Sequence, residues 1–447
     1  MILRYDNAEN KNTGRLIMDT LTPLLTSLQA FYSRGQKKGR LFTCIILAFI
    51  LPVLNGKGSN VYRKLLHLLH VVVSETRFYR FMAGRCFRWQ QLHKAIYNQI
   101  PEPLEDGRIL AVIDDTINPK SGRKIFGCEH RFDHAAKKNQ CRYPWGQNYV
   151  QLALLKRVHG RWAALPLFAK FYHSLKVATE KHFKNKIVLT QDMIKELASY
   201  HSHNILAIVD TWFGNFSLYE PMKKELGNRF HMLSMLRKNS MLYDFPEITN
   251  QKARGRPKKY GKKLGSVRDL AVELRDKVYT ISTFIYGKAR EVQVYGKTYM
   301  SKSMQCPIRV VFAYYKNHHV ALFTTDLTLT DAQIVDYYSA RWKIESGFKE
   351  LKHDIGSKDT QARNEYAVIN HLNMCMLSIT IIWIAMLKLS ENAAADFIRS
   401  RKTPFTFSQA RKYLLERLNF DVFYKSSDRQ PKNDQKSWLL WIMRMVV

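Results

Sequence analysis

Two short runs, each wholly apolar and each ending on an aspartate, constrain this chain more than any other feature. Ile109-Leu110-Ala111-Val112-Ile113 stops at Asp114-Asp115, and Ile205-Leu206-Ala207-Ile208-Val209 stops at Asp210. Apolar, β-branched runs without polar alternation are strands covered on both faces of a sheet. Strand ends of an α/β sheet are where loops part and ligands enter. Two carboxylates meeting there either bind a divalent cation or share a proton. The plainer reading is a pair of unrelated helix caps, since Asp is a favoured N-cap.

The pattern around these runs is that of an α/β core. Strands are expected at about 148–158, 162–171 and 230–236, and helices at about 179–200 and 216–226. Ahead of the core, residues 13 to about 100 read as helices, with apolar positions such as Val61, Leu65, Leu68, Leu69 and Val72 recurring at three and four. Arg63, Lys64, Arg77, Arg80, Arg85 and Arg88 give that region a charged surface, and Pro101 and Pro103 mark its end. From 237 to about 328, runs at Tyr279–Tyr286, Glu291–Tyr299, Ile308–Tyr315 and Val320–Thr325 read as strands of an all-β insertion. Helical periodicity resumes near 331, where Thr330 and Gln333 form a T-x-x-Q capping box. The expected division is therefore 1–103 helical and basic, 104–236 the first part of the core, 237–328 the insertion, 329–390 core helices, and 391–447 a basic helical tail.

Charge narrows the partner. Lys and Arg number 71 against 37 Asp and Glu, a net +34. Such a surplus repels itself unless a polyanion sits against it, and nucleic acid is the natural one, since neutralising phosphates releases condensed counterions. An anionic membrane surface fits less well, because the bases are spread along the chain instead of flanking an apolar anchor. The start is polar, without the apolar stretch of a signal peptide. Leu41–Leu54 is too short to span a bilayer. Ala367–Leu389 is interrupted by Asn370, His371 and Asn373 and reads as a buried core helix. Six scattered cysteines form no CxxC pair and read as reduced thiols. No GxxxxGK[ST] loop is present, so no nucleotide cofactor is implied.

The expected helix from Asp331 to about Lys352 carries the third carboxylate. Tyr338, Arg341, Glu345, Lys349 and Lys352 are spaced to form one stripe at 3.6 residues per turn, with Ile334, Tyr337, Ile344 and Leu351 opposite. Such a stripe is equally what a solvated face with i,i+4 ion pairs looks like.

Tyr338-x2-Arg341-x3-Glu345-x6-Lys352 resembles the Y-(2)-R-(3)-E-(6)-K signature of the IS4 family of bacterial insertion-sequence transposases. Asp114-Asp115-Thr116 is similar to that family's D-x-T, Asp210 to its second aspartate, and the β-rich stretch before Glu345 to its insertion. The resemblance covers about 108 to 390. It implies an RNase H-like mixed-sheet core, interrupted by the insertion, with a helical domain in front. It further implies a DDE enzyme in which Asp114, Asp210 and Glu345 bind two Mg²⁺ ions, with Mn²⁺ able to substitute, to cut and join DNA. Tyr338, Arg341 and Lys352 would hold phosphates, and Lys349, one turn after Glu345, is a further candidate. Asp115 is the alternative to Asp114: neighbouring strand residues face opposite ways, so only one can face the metals, and the D-x-T register favours Asp114. Expected partners are double-stranded DNA, as element ends and target, and a second copy of the chain; the expected location is the bacterial cytoplasm at the nucleoid. Rival readings are a metal-dependent nuclease without strand transfer and a DNA-binding protein that keeps the fold without chemistry.

Three further segments bear on DNA. Residues 252–263 hold Arg254, Arg256, Lys258, Lys259, Lys262 and Lys263; the Arg-Gly-Arg-Pro core reads either as an AT-hook for the minor groove or as a flexible solvated loop. Trp342, and less so Trp145 and Trp212, are candidates for stacking on a flipped base, against ordinary packing. Cys128, His130, His134 and Cys141 have the residue types of a zinc site but no regular finger spacing.

Overall fold

The computed structural model describes residues 16–29, 35–50, 61–62, 73–85, 87–133, 136, 138–175, 183–246, 258–285, 288–315, 318–399 and 405–415. At its centre, strand β1 (Arg108–Pro119) lies between β3 (Trp145–Val158), antiparallel, and β5 (Asn204–Val209), parallel. Beyond β3 lie β4 (Arg161–Tyr172) and the short β2 (Cys128–His130), both antiparallel to it; beyond β5 lies β6 (Phe230–Met235), parallel. Three antiparallel strands followed by two parallel ones make the mixed α/β sheet of an RNase H-like core. Ile109 to Ile113 and Ile205 to Val209 are at most 1% exposed, as two-face burial requires. Pro166 sits in β4 where the register with β3 shifts between Leu152 and Ala153; a residue without an N–H is tolerated at such a bulge.

The helices begin where the side chains allow. Asn185 caps α5 (Lys186–Ala198) by accepting from the Val188 N–H, and Asn215 caps α6 (Phe216–Leu226) by accepting from the Leu218 N–H. The expected box at Thr330 and Gln333 is present at the start of α8 (Asp331–Ala340), counting the short α7 (Val267–Glu273) before it.

Three expectations need correction. The first strand does not stop at Asp114: β1 runs five residues further, paired with β3 as far as Pro119 and Gly146, although its parallel neighbour has ended. The insertion is not all-β, and its strands join the core sheet. It contains α7, and β12 (His318–Thr324) pairs with β6, so that β11 (Cys306–Tyr315) and β10 (Lys288–Ser301) extend the core sheet outward from it. Strand β9 (Tyr279–Ile285) pairs with β10, and short strands β7 (Met241–Tyr243) and β8 (Lys263–Ser266) flank the basic segment. Finally, the expected helix to Lys352 is not regular. It breaks at Arg341, resumes as α9 (Trp342–Lys349), and passes into a π-helical turn over Glu350–Ile355, where the Gly356 N–H reaches back to the Leu351 carbonyl. Gly356 closes it at φ 93°, a left-handed conformation that glycine adopts without strain.

In the region expected as a helical front domain, α1 (Leu16–Gln29), α2 (Gly35–Ile50), α3 (Glu75–Met82) and α4 (Trp89–Tyr97) pack against α10 (Glu365–Leu387). The polar residues that interrupt the apolar run are the joints. Asn370 accepts from Trp89 Nε1 at 2.8 Å and donates to the Met82 and Gly84 carbonyls, and Asn373 Oδ1 lies 3.0 Å from His93 Nε2. Among the described residues α10 is the one helix long and apolar enough to cross a membrane by composition, and 94% of its apolar window is buried in the fold. Of the expected front-domain positions, Val61 is buried, Arg77, Arg80, Arg85 and Arg88 are exposed, and Arg63, Lys64, Leu65, Leu68, Leu69 and Val72 lie outside the described residues. Helix α11 (Glu391–Arg399) and helical residues 407–415 are the described parts of the expected tail.

Candidate active site

Ile113 of β1 is paired in register with Val209 of β5. Asp114 and Asp210, each the next residue, therefore leave the same edge of neighbouring parallel strands. Asp210 is fixed by its own turn: one carboxylate oxygen accepts from the Trp212 and Phe213 N–H groups at 3.0 and 2.9 Å, and its carbonyl accepts from Gly214 N and Ser234 Oγ. Glycine is required at 214, because a Cβ there would stand 2.1 Å from Ser234 Oγ and 3.0 Å from the Asp210 carbonyl oxygen.

The third carboxylate comes from α9, which packs against β1 and β4. Arg341, at the break before that helix, donates from Nη1 to Asp114 Oδ2 at 3.0 Å and from Nη2 to Glu345 Oε1 at 2.8 Å. One guanidinium thus links the first and third carboxylates. Burial pushes the Asp114 carboxyl up to about 7; Arg341 opposes this and the neighbouring Asp210 charge adds to it. Tyr338, whose ring centroid lies 5.9 Å from the Arg341 guanidinium carbon, is likewise raised by burial, with Asp210 and Asp114 among the charges that reinforce it.

Asp115 is engaged elsewhere. Its Oδ2 accepts from Lys186 Nζ at 2.7 Å and from Asn148 Nδ2 at 3.0 Å. Alternation along β1 separates the two aspartates, so Asp114 faces Arg341 while Asp115 faces the start of α5.

The two lysines of the stripe differ in their surroundings. Lys349 is exposed. Lys352 is drawn inward, its Nζ donating to Thr116 Oγ1 at 2.6 Å and to the Ile117 carbonyl at 2.7 Å, and burial lowers its pKa to about 8. Lys352 thus reaches β1, the same strand on which Arg341 meets Asp114. Its contacts pin β1 just beyond Asp114, so the threonine of Asp114-Asp115-Thr116 and the lysine of the helix motif meet in space. Trp342 is 51% exposed and Trp212 is 49% exposed, so neither is a core residue. Trp145 is half-buried with its Nε1 on the Gly122 carbonyl.

Lys186, Asn148 and Ser234 carry no sequence signal of their own; their partners are distant in the chain. Of the basic segment, Lys258, Lys259, Lys262 and Lys263 are exposed, and Arg254 and Arg256 lie outside the described residues. Among the described residues no three His, Cys, Asp or Glu side chains stand close enough together to hold a metal ion. Cys128, His130 and Cys141 therefore do not form such a group, and His134 lies outside the described residues. Between Asp114 and Glu345 stands the Arg341 guanidinium. The donor chemistry itself suits a hard divalent cation: two aspartate carboxylates side by side at a sheet edge, one destabilised as an anion by burial and by the other, with Glu345 one guanidinium away.

Comparison with known families places the chain. Residues 32–296, more than half of the chain, match the family described as DDE superfamily endonuclease. The chain belongs to the DDE superfamily of endonucleases. The matched segment of this DDE endonuclease contains Asp114 and Asp210. Residues 287–392, which contain Glu345, match the model of an archaeal putative transposase, ISC1217. No curated protein matches the sequence. DDE nucleases generally use divalent metal ions and act on DNA, in keeping with the carboxylates and with the net charge of +34.

Proposed function

We propose that this DDE endonuclease is the transposase of a bacterial insertion sequence of the IS4 type, acting at the nucleoid in the cytoplasm. It binds the ends of its element, cuts them, and joins the freed 3′-hydroxyls to target DNA. The observation that carries the reading is the Arg341 guanidinium joined to both Asp114 and Glu345, beside Asp210. It brings together, from segments more than 200 residues apart, the residues that resemble that family's motifs.

In this reading Asp114, Asp210 and Glu345 hold two Mg²⁺ ions, replaceable by Mn²⁺, which supply an activated water or 3′-hydroxyl and stabilise the leaving oxygen. The side chains do the remaining work. The turn from Asp210 to Gly214 holds the second carboxylate at a fixed angle. Tyr338 and Arg341 grip the phosphate at the scissile bond, and Arg341 suits the task because its planar fork binds phosphate bidentately. Lys352 braces β1 beneath Asp114 and stands within reach of the same backbone. Lys349 and Trp342, both exposed, meet the flanking DNA. Arg254, Arg256, Lys258, Lys259, Lys262 and Lys263 add a basic arm whose Arg-Gly-Arg core enters the minor groove. Residues 1–103 bind the element end, 104–236 and 329–390 form the catalytic core, 237–328 are the insertion, and 391–447 are a basic tail. Two copies act together, since two ends must be joined.

The test uses the purified full chain, Mg²⁺, and a duplex carrying the sequences that flank its own gene, with a supercoiled plasmid as target. Nicks at the element boundary and joined plasmid products are expected. Nicks without joining would reduce the protein to a metal-dependent nuclease. Binding without cutting, in Mg²⁺ and in Mn²⁺, would overturn the catalytic reading.

A further inference from the structure

We infer that Arg341 is a built-in competitor of the metal ions, releasing Asp114 and Glu345 only when DNA offers its guanidinium a phosphate, so that metal loading is coupled to DNA binding. The inference rests on the proposal that those carboxylates are metal ligands. It adds that their loading is conditional.

The geometry is that of a counter-cation. The two terminal nitrogens of Arg341 reach two carboxylates carried by different elements, β1 and α9, at 3.0 and 2.8 Å. The side chains of Arg341 and Asp114 are 14% and 16% exposed, so the attraction is only partly screened by water; Glu345, at 33%, is the open end of the bridge. Arg341 sits at the junction between α8 and α9, where its side chain stands between the strand carrying Asp114 and the helix carrying Glu345. Its Nε is buried without a well-formed hydrogen bond among the described residues, the Tyr338 hydroxyl interacting with the same guanidinium. A buried N–H left unpaired is costly, so the bridged arrangement leaves Arg341 less than fully satisfied. A phosphate can accept from Nε and one terminal nitrogen together, the bidentate pairing that guanidinium groups favour. A cation binding at Asp114 and Glu345 competes with the Arg341 guanidinium for the same two carboxylates. Phosphate draws the arginine away and at the same time leaves two carboxylates facing each other without a cation. Each event then favours the other, and by linkage DNA must raise metal affinity by the same factor as metal raises DNA affinity.

The experiment measures Mn²⁺ binding to the full-length protein by the loss of the free-ion EPR signal, with and without a 30-base-pair duplex whose own Mn²⁺ binding is subtracted. Wild type is expected to bind Mn²⁺ about tenfold or more tightly with duplex than without, within the usual range of coupled sites. Arg341→Gln is expected to bind Mn²⁺ tightly without DNA and to gain less than about twofold from the duplex. Its melting temperature should rise on adding Mn²⁺ by more than that of wild type, because bound ligand stabilises the fold in proportion to its affinity. If Arg341→Gln binds Mn²⁺ no better than wild type, or if duplex leaves wild-type affinity unchanged, the competition does not exist. Should the glutamine variant fail to fold, the wild-type comparison with and without duplex still decides. Asp114→Asn separates this failure from that of the underlying reading: it should weaken Mn²⁺ binding, and if it does not, the carboxylates are not the ligands.

Discussion

Asp114 and Asp210 stand on the same level of two neighbouring parallel strands, each one residue past the paired rung of Ile113 and Val209. That relationship follows from register alone, because slipping either strand by one residue would turn its carboxylate to the opposite face. It also explains why Asp114 is so sensitive to its surroundings: it lies within a continuing strand, largely buried, with the Asp210 carboxylate beside it and the Arg341 guanidinium 3.0 Å away.

Asp114 and Asp115 should therefore separate cleanly on mutation. Asp114→Asn is expected to lower DNA cleavage by more than the roughly 10–100-fold that loss of a ligand's supporting partner costs. Asp115→Asn removes a partly exposed ion pair with Lys186, worth roughly 0–1 kcal/mol, and should keep cleavage near wild type. Parallel cleavage rates and melting curves decide it, and the opposite ranking would move the first ligand to Asp115.

Gly214→Ala should disturb the second carboxylate from behind. The added methyl meets Ser234 Oγ and the Asp210 carbonyl, and overpacking of this kind costs about 1–3 kcal/mol. Chemical denaturation should show that loss together with reduced cleavage. An alanine variant of full stability and full activity would mean that the Asp210 turn is not tightly constrained.

Glu350 gives a pH signature away from the carboxylate cluster. Burial pushes its carboxyl up from 4.5 to about 8, although Arg161 Nη2 lies 4.0 Å away. Because the folded protein then holds a proton that the unfolded chain has released, stability from this group is complete below about pH 4.5 and is lost as pH rises towards 8. Glu350→Gln keeps the neutral form at every pH. Its melting temperature should gain on wild type between pH 5 and 8 and hold that gain above. A lead that shrinks with rising pH would show instead that Arg161 holds Glu350 ionised.

The exposed lysines near β8 predict a salt effect. Replacing Lys258, Lys259, Lys262 and Lys263 with Gln should weaken DNA binding and flatten the plot of log K against log salt by roughly 0.9 for each phosphate no longer neutralised. Cleavage at saturating DNA should be unchanged. An unaltered slope would take this segment away from the DNA.

What the sequence disclosed, and what it withheld, divides along local and non-local lines. The two buried strands, the capping box at Thr330 and the helix bearing Glu345 are written in contiguous residues, because apolar runs and caps act over a few positions. The sheet's continuation from β6 into β12, β11 and β10 is a matter of pairing between strands far apart in the chain, and no local pattern encodes it. Lys186 meets Asp115 across 71 residues for the same reason. The π turn at Glu350–Ile355 contains no proline or glycine to announce it, so the change of pitch before Gly356 is not legible in the sequence. The double engagement of Arg341 was equally out of reach, since the signature spacing names the residue but not its partners.

The most direct measurement is single-turnover cleavage by wild type and Glu345→Gln, at equal occupancy of an element-end duplex in Mg²⁺. The glutamine variant should bind the duplex as wild type does and cut it at less than about 1% of the wild-type rate, a loss larger than support of a ligand alone accounts for. Cutting at the wild-type rate would show that Glu345 holds no metal and that the three carboxylates are not a catalytic set.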